Sequence, residues 1–194
     1  MWDLYDGDWS LNPVRLVLEK LGQVNWALDP AEYDLAQAGW LTIDNVTGAL
    51  AESWETPDPL TTIFHIRKGV HYQDKAPMNG REFNAYDAEF TYHRMLGLGS
   101  GYTEVSPHIA FLNLLPIESV TATDEWTLEV KSSSYSVNTL DGLFFYAYYG
   151  NMQPPEVVEQ YGDLKDWKNL VGTGPYAIEE YVPGSSYTLS LIHI

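Results

Sequence analysis

Cysteine is absent from the 194 residues, and with it go disulfides, zinc–thiolate centres and thiol nucleophiles. This leaves the compartment open, since exported bacterial proteins often dispense with cysteine. Basic residues are scarce: 10 Lys and Arg stand against 27 Asp and Glu, a formal net charge of −17. Charged residues make up only 19% of the chain, below the roughly 25% usual for globular domains. The acidity therefore reflects missing cations and not an acidic tail. Such a chain repels phosphate backbones, which excludes nucleic acid as a partner, and anionic membrane surfaces are disfavoured for the same reason. No apolar run approaches the roughly 18 residues of a membrane span, and no basic n-region with an apolar h-region opens the chain. Either the protein stays inside the cell or its export signal lies outside this sequence. With 45% hydrophobic residues a packed core is expected, which excludes disorder. At about 150 residues per domain, the length fits one domain or a little more.

Aromatic side chains are abundant, with 7 Trp, 14 Tyr and 6 Phe. They are used where an apolar body and a polar tip both matter, as at ligand surfaces, but strands favour them as well. Asn12-Pro13 reads as a helix start, with Val14, Val17, Leu18 and Leu21 on one face and Gly22 as the stop. The stretch from Gln23 to Thr47 is irregular and reads as loop and short helix. Alternation predicts a strand over Thr61–Arg67 with Phe64 and Ile66 inward. Asn84 with Asp87 forms a loose capping box for a helix that ends at Gly97. Ile117–Thr121 and Trp126–Lys131 read as a hairpin, with Trp126, Leu128 and Val130 on its inner face. Leu143–Tyr149 is almost wholly apolar and aromatic. Pro155–Tyr161 reads as a short helix closed by Gly162. Strands Tyr176–Val182 and Tyr187–Ile192 are joined through Pro183-Gly184. The class is mixed α and β.

Catalytic signatures are missing: there is no H-E-x-x-H, no G-x-S-x-G and no EF-hand loop. Gly97-Leu98-Gly99-Ser100-Gly101 follows a helix, whereas a dinucleotide fingerprint follows a strand and opens one. Gly172-Thr173-Gly174-Pro175 lacks the Lys of a phosphate cradle, and Pro175 removes an N–H that an anion would need. The same segment is expected to be a tight turn with at least one glycine at positive φ. The five histidines are too scattered for a metal centre. Glu52 and Glu55 flank Trp54 with nothing to place them in one cleft. Asn45-Val46-Thr47 matches a glycosylation sequon only by pattern. No cofactor is called for. The run Phe144–Tyr149 is the best binding surface by composition, and a buried strand explains it equally well.

A more specific signal comes from ordered phrases. Leu50-Ala51-Glu52-Ser53-Trp54-Glu55 is followed by Phe64-His65-Ile66-Arg67-Lys68-Gly69-Val70 and by the capped helix at Asn84 and Asp87. Val171-Gly172-Thr173-Gly174-Pro175-Tyr176 comes later, with Pro183-Gly184 beyond it. Together these resemble the extracellular solute-binding proteins of family 5, the peptide/nickel type that serves ABC importers. The similarity runs from about Gly48 to Leu189 and is weaker before it. The resemblance implies a periplasmic-binding-protein-like class II fold of two lobes, of which this sequence would supply a front fragment. Residues 1–45 would begin lobe I, 46–168 would form an accessory mixed α/β domain, and 169–194 would return to lobe I.

The resemblance further implies a non-enzymatic, monomeric capture protein, periplasmic or extracellular and membrane-associated. Its signal or lipoprotein peptide would lie outside this sequence. It would hold a small-molecule or peptide ligand and dock on ABC importer permease subunits. Relatives place a tyrosine after the capped helix at the cleft, which makes Tyr102 the expected ligand contact. Trp26 and Tyr146 are further candidates, chosen as aromatics in segments that could face a cleft. The alternative class is a carbohydrate-binding or carbohydrate-active β-rich domain, supported only by aromatic and carboxylate content.

Overall fold

The computed structural model describes residues 14–29, 31, 45–106, 115–136, 139 and 150–192. Its centre is a four-stranded antiparallel sheet in the order β3-β4-β6-β5. The strands are β3 (Ala51–Asp58), β4 (Thr61–Ile66), β5 (Ile117–Asp124) and β6 (Thr127–Ser132). Phe64 of β4 stands opposite Trp54 of β3 and Leu128 of β6, and Val120 of β5 opposite Val130 of β6. Phe64, Ile66, Leu128 and Val130 are buried, so the period-2 reading of these strands holds. Each hairpin turns over two residues, and an aspartate organises each turn. Asp58 Oδ1 accepts the Leu60 N–H at 2.8 Å, and Asp124 Oδ1 accepts the Trp126 N–H at 2.7 Å. The second bond explains why β5 continues to Asp124 and the turn falls at Glu125–Trp126, two residues past its expected place.

Helix α2 (Ala85–Leu96) lies against this sheet. Asn84 accepts the Tyr86 N–H, Asp87 reaches back to the Asn84 N–H at 3.0 Å, and Gly97 closes the helix at φ 69°. Its Ala85, Ala88, Tyr92 and Met95 share one core with Phe64, Leu128 and Val130. Helix α3 (Pro155–Tyr161) ends at Gly162 with φ 84°, as expected. Arg81 ties the two helices together, bonding Asp87 at 2.7 and 3.0 Å and Glu156 at 2.6 and 2.9 Å.

The N-terminal part departs from expectation. Helix α1 covers only Val14–Val17, closed by the Leu18 N–H to Val14 carbonyl bond at 2.7 Å. The next residues leave the helix because other backbone claims them. Leu21 O accepts from both Ala49 N and Ala51 N at 2.9 Å, Lys20 O accepts Leu50 N at 3.0 Å, and Glu19 O accepts Met152 N at 2.7 Å. Gly22 therefore opens a strand, β1 (Gly22–Val24), instead of stopping a helix, and pairs antiparallel with β2 (Val46–Gly48). Both short strands fall at the ends of the stretch read as irregular. Alternation in the sequence does not mark β3 as a strand either. It is an edge strand, with Ala51 buried and most other positions exposed, so little hydrophobic contrast marks it. The aromatic run Leu143–Tyr149 lies outside the described residues.

β7 (Tyr176–Val182) and β8 (Ser186–Leu191) form a separate antiparallel ribbon. It packs Ile178 with Val14, Val17, Leu18 and Leu170 into a second, smaller core. Entry into β7 is held from two sides. Gly174 N donates to Val17 O at 2.8 Å, while Gln73 Nε2 donates to Tyr176 O at 2.8 Å and Gln73 N to Gly172 O at 2.9 Å. The expected positive φ is absent from this turn: neither Gly172 nor Gly174 is left-handed. They are needed for closeness instead. A Cβ on Gly172 would sit 1.9 Å from the Val17 carbonyl oxygen, and one on Gly174 would sit 2.6 Å from that of Leu16.

Candidate functional site

The backbone bonds that end α1 also build a groove. Glu19–Leu21 is pinned by 49–51 on one side and by 151–152 on the other, and Lys20 is bridged to Asn151. Arg15 projects from α1, and β1 carries Gln23 and Val24 along the same concavity. The groove measures about 570 Å³, and its lining includes Arg15, Lys20, Gln23, Trp26, Asn151 and Pro175. Trp26 is 76% exposed at this site. Asn151, by contrast, is buried. Burial pushes the Lys20 ammonium down to about 8, and the nearby Arg15 charge adds to the fall. Glu19 lines the groove as well, so acid and base are mixed there.

Tyr102 lies elsewhere. It closes a tight turn in which Gly99 N donates to Tyr102 O at 3.1 Å and Tyr102 N to Gly99 O at 2.8 Å. Ser100 and Gly101 take φ of 51° and 85° there. His93 secures the turn through Nδ1 to Ser100 Oγ at 2.9 Å and Nε2 to Val120 O at 2.8 Å. A carbonyl only accepts, so Nε2 donates to Val120 O. The Tyr102 ring meets Phe90 edge-on at 6.1 Å, with the Arg94 guanidinium 5.9 Å from its centroid. It lines a second concavity of about 510 Å³ with Phe90, Gly101, Val158 and Glu159. Trp26 and Tyr102 thus occupy different concavities, and Tyr146 lies outside the described residues.

Lys20, Arg15 and Asn151 were not singled out in the sequence. A Lys between Leu18 and Leu21 reads as the solvated side of an amphipathic helix, and only the break at Val17 turns it into a groove. The usable signal was the scarcity of bases as such, 10 Lys and Arg in 194 residues. Among the described residues, no group of three or more His, Cys, Asp or Glu is placed to hold a metal ion. No helix there is long and apolar enough to cross a membrane.

The architecture has close counterparts. The chain superposes on the periplasmic binding protein DppA of Helicobacter pylori, solved with the peptide STSA, with a TM-score of 0.71 and 21% identity. That match covers 98% of this chain and 36% of the other. In sequence it is 30% identical over 150 residues to di/tripeptide-binding protein 1 of Pseudomonas aeruginosa, covering 70% of this chain and 27% of the relative. It is 28% identical over 146 residues to heme-binding protein A of Haemophilus influenzae, covering 71% and 27%. The chain therefore spans about a quarter of the length of the curated relatives it matches. The profile described as bacterial extracellular solute-binding proteins, family 5 Middle, matches residues 45–190, which takes in the LAESWE phrase, the capped helix and the Gly-Thr-Gly-Pro turn. On that match the chain belongs to the family 5 bacterial extracellular solute-binding proteins.

Proposed function

We propose that this chain is part of an extracytoplasmic solute-binding subunit of an ABC importer, and that peptides are its first class of ligand. The observation that carries the reading is the family match over residues 45–190. It captures solute without transforming it and passes it to permease subunits. Related proteins carry peptide-binding and heme-binding names, so the class is small solutes, with peptides favoured by the fold match to a peptide complex. No observation favours the carbohydrate reading. The division into lobe I (1–45 and 169–194) and an accessory unit (46–168) is supported by the two apolar cores. One joins α1 to β7 and β8, while the other fills the four-stranded sheet and α2 and also takes in Leu21 and Val171 from the lobe I segments. Trp26, Tyr102 and Tyr146 are the proposed aromatic ligand contacts, burying apolar surface while the tyrosine hydroxyls bond peptide groups.

The test is calorimetry on the protein produced from its whole reading frame, titrated with a mixture of di- and tripeptides and separately with a maltooligosaccharide. Peptide heat with no sugar heat is expected, and the reverse would overturn the reading. Tyr102→Ala, matched in melting temperature to wild type, should weaken peptide binding by about five- to a hundredfold, equivalent to about 1–3 kcal/mol. An unchanged dissociation constant removes Tyr102 from the site.

A further inference from the structure

The inner face of the four-stranded sheet is apolar until its last row. Phe64 of β4 and Leu128 and Val130 of β6 are buried there. Two residues further along the same face, at one end of the sheet, stand Thr62 and Ser132, both half-buried. Leu60 O accepts the Ser132 N–H at 2.8 Å, so these residues lie beside the β3–β4 turn. They open into a concavity of about 480 Å³ that Pro57, Leu60, Tyr135 and Thr139 also line. Among the described residues it shares no lining with the groove at Lys20 or with the concavity at Tyr102.

Thr139 is 7% exposed, and its hydroxyl oxygen is buried with no partner among the described residues. Its backbone is fixed, since Thr139 N donates to Ser136 O at 3.2 Å. A hydroxyl both donates and accepts, and a buried one left unpaired carries its desolvation penalty until a partner arrives. Other lining residues present apolar surface to solvent: Tyr135 is 69% exposed and Leu60 41%. Asp58 is the one charged side chain among the described lining residues, and its Oδ1 is spent on the Leu60 N–H at 2.8 Å. Among the same residues no cation is present to hold an anion. An apolar guest would leave the hydroxyls unpaired. A neutral guest with hydroxyls on its edges and C–H groups on its face satisfies both kinds of lining.

We propose that this concavity binds a neutral polyol ring, a cyclitol or a single sugar unit. Its hydroxyls pair with Thr139, Thr62 and Ser132, and its C–H face covers the Tyr135 ring. The polyol is held and not cut, because glycoside hydrolysis takes two facing carboxyls and Asp58 is the one acid among the described lining residues. The site stands apart from peptide capture and does not depend on it.

The test is saturation-transfer NMR on the protein from its whole reading frame, with myo-inositol and methyl β-glucoside as probes. Tetrahydropyran, a six-membered ring without hydroxyls, is the control. A ligand of about a dozen non-hydrogen atoms in an open concavity binds in the millimolar range, too weakly to give heat in a micromolar titration. At least one polyol should therefore saturate between about 1 and 50 mM while tetrahydropyran does not, and the tighter polyol names the source. Thr139→Val and Tyr135→Ala should each weaken it by about fivefold or more, with heat from the peptide mixture unchanged. Thr139→Val should also melt no lower than wild type, because it removes an unpaired buried hydroxyl. No saturation by either polyol, equal saturation by tetrahydropyran, or full affinity in either variant overturns the site and leaves peptide capture standing. A lower melting temperature for Thr139→Val shows that its hydroxyl is bonded within the protein and overturns the site as well. A parallel loss of peptide heat in the variants would make the concavity part of solute capture, and the separate site falls.

Discussion

A single added carbon at Gly172 would meet backbone and not a side chain able to turn away. The nearest atom is the Val17 carbonyl oxygen at 1.9 Å, and that carbonyl is committed to Gly174 N at 2.8 Å. Relief requires α1 to separate from the entry to β7, which opens the smaller core of Val14, Val17, Leu18, Leu170 and Ile178. Overpacking of this kind costs typically 1–3 kcal/mol and occasionally more. Gly172→Ala should therefore lose about 3 kcal/mol, or about 6–12 °C in melting temperature for a chain of this size. Gly69→Ala is the matched control. Its φ is 80° with nothing within 4 Å of the added carbon, so only the left-handed penalty of about 1 kcal/mol applies. Equal melting temperatures for the two variants in thermal denaturation would remove the close-approach account.

At the scale of elements, legibility followed the local signals. α2 and α3 could be read because their ends are written in short-range chemistry: a reciprocal Asn84–Asp87 cap, Pro155 at a first turn, and Gly97 and Gly162 in left-handed geometry. β4 and β6 could be read because one face of each is buried, and β5 through its hairpin with β6. α1 and β1 could not, since their boundaries are set by partners distant in sequence, and β3 could not because it is a mostly exposed edge strand. Val14 to Leu21 has a perfect helical stripe, but Ala49–Ala51 and Met152 take the backbone of its second half. The joint between α2 and α3 also depends on a distant partner. Arg81 spans Asp87, whose side chain is 4% exposed, and Glu156, which is 35% exposed. Burial pushes the Asp87 carboxyl up, and the bonds and charge of Arg81 oppose that rise. Removing the arginine leaves that carboxylate with the Asn84 N–H as its remaining donor among the bonds described here. Arg81→Met should cost about 3 kcal/mol by denaturant unfolding, the lower end for breaking a buried pair. Glu156→Gln, at the more exposed end, should cost about 1 kcal/mol or less. Equal losses would mean that the exposed Glu156 end carries the joint as much as the buried Asp87 end, and would remove the burial account.

For the whole molecule, the class and the family were legible, whereas the groove was not. Phrases such as Leu50–Glu55 and Val171–Tyr176 are contiguous in sequence, but the groove assembles Arg15, Trp26, Asn151 and Pro175 across distant parts of the chain. What the sequence does state outright is the net charge of −17. Few of those charges are locally neutralised: 27 acids share 10 bases, and Arg81 alone engages two of the acids. Exposed neighbours such as Glu179 and Glu180 in β7 must repel across the solvent. Self-repulsion of this kind opposes the compact state and is screened by salt. The screening length falls from about 30 Å at 0.01 M to about 10 Å at 0.1 M and about 3 Å at 1 M. Melting temperature should therefore rise with sodium chloride, most steeply below about 0.2 M, and flatten once the screening length drops below the spacing of neighbouring charges. Salting-out of apolar surface would instead give a rise that continues with concentration and is larger for sulfate at equal ionic strength. Scanning calorimetry in both salts separates the two. A curve that saturates and is the same for chloride and sulfate at matched ionic strength assigns the effect to repulsion among the acids. A linear, sulfate-favoured curve assigns it to the cores and would mean that the acidic surface is already relieved by its own spacing.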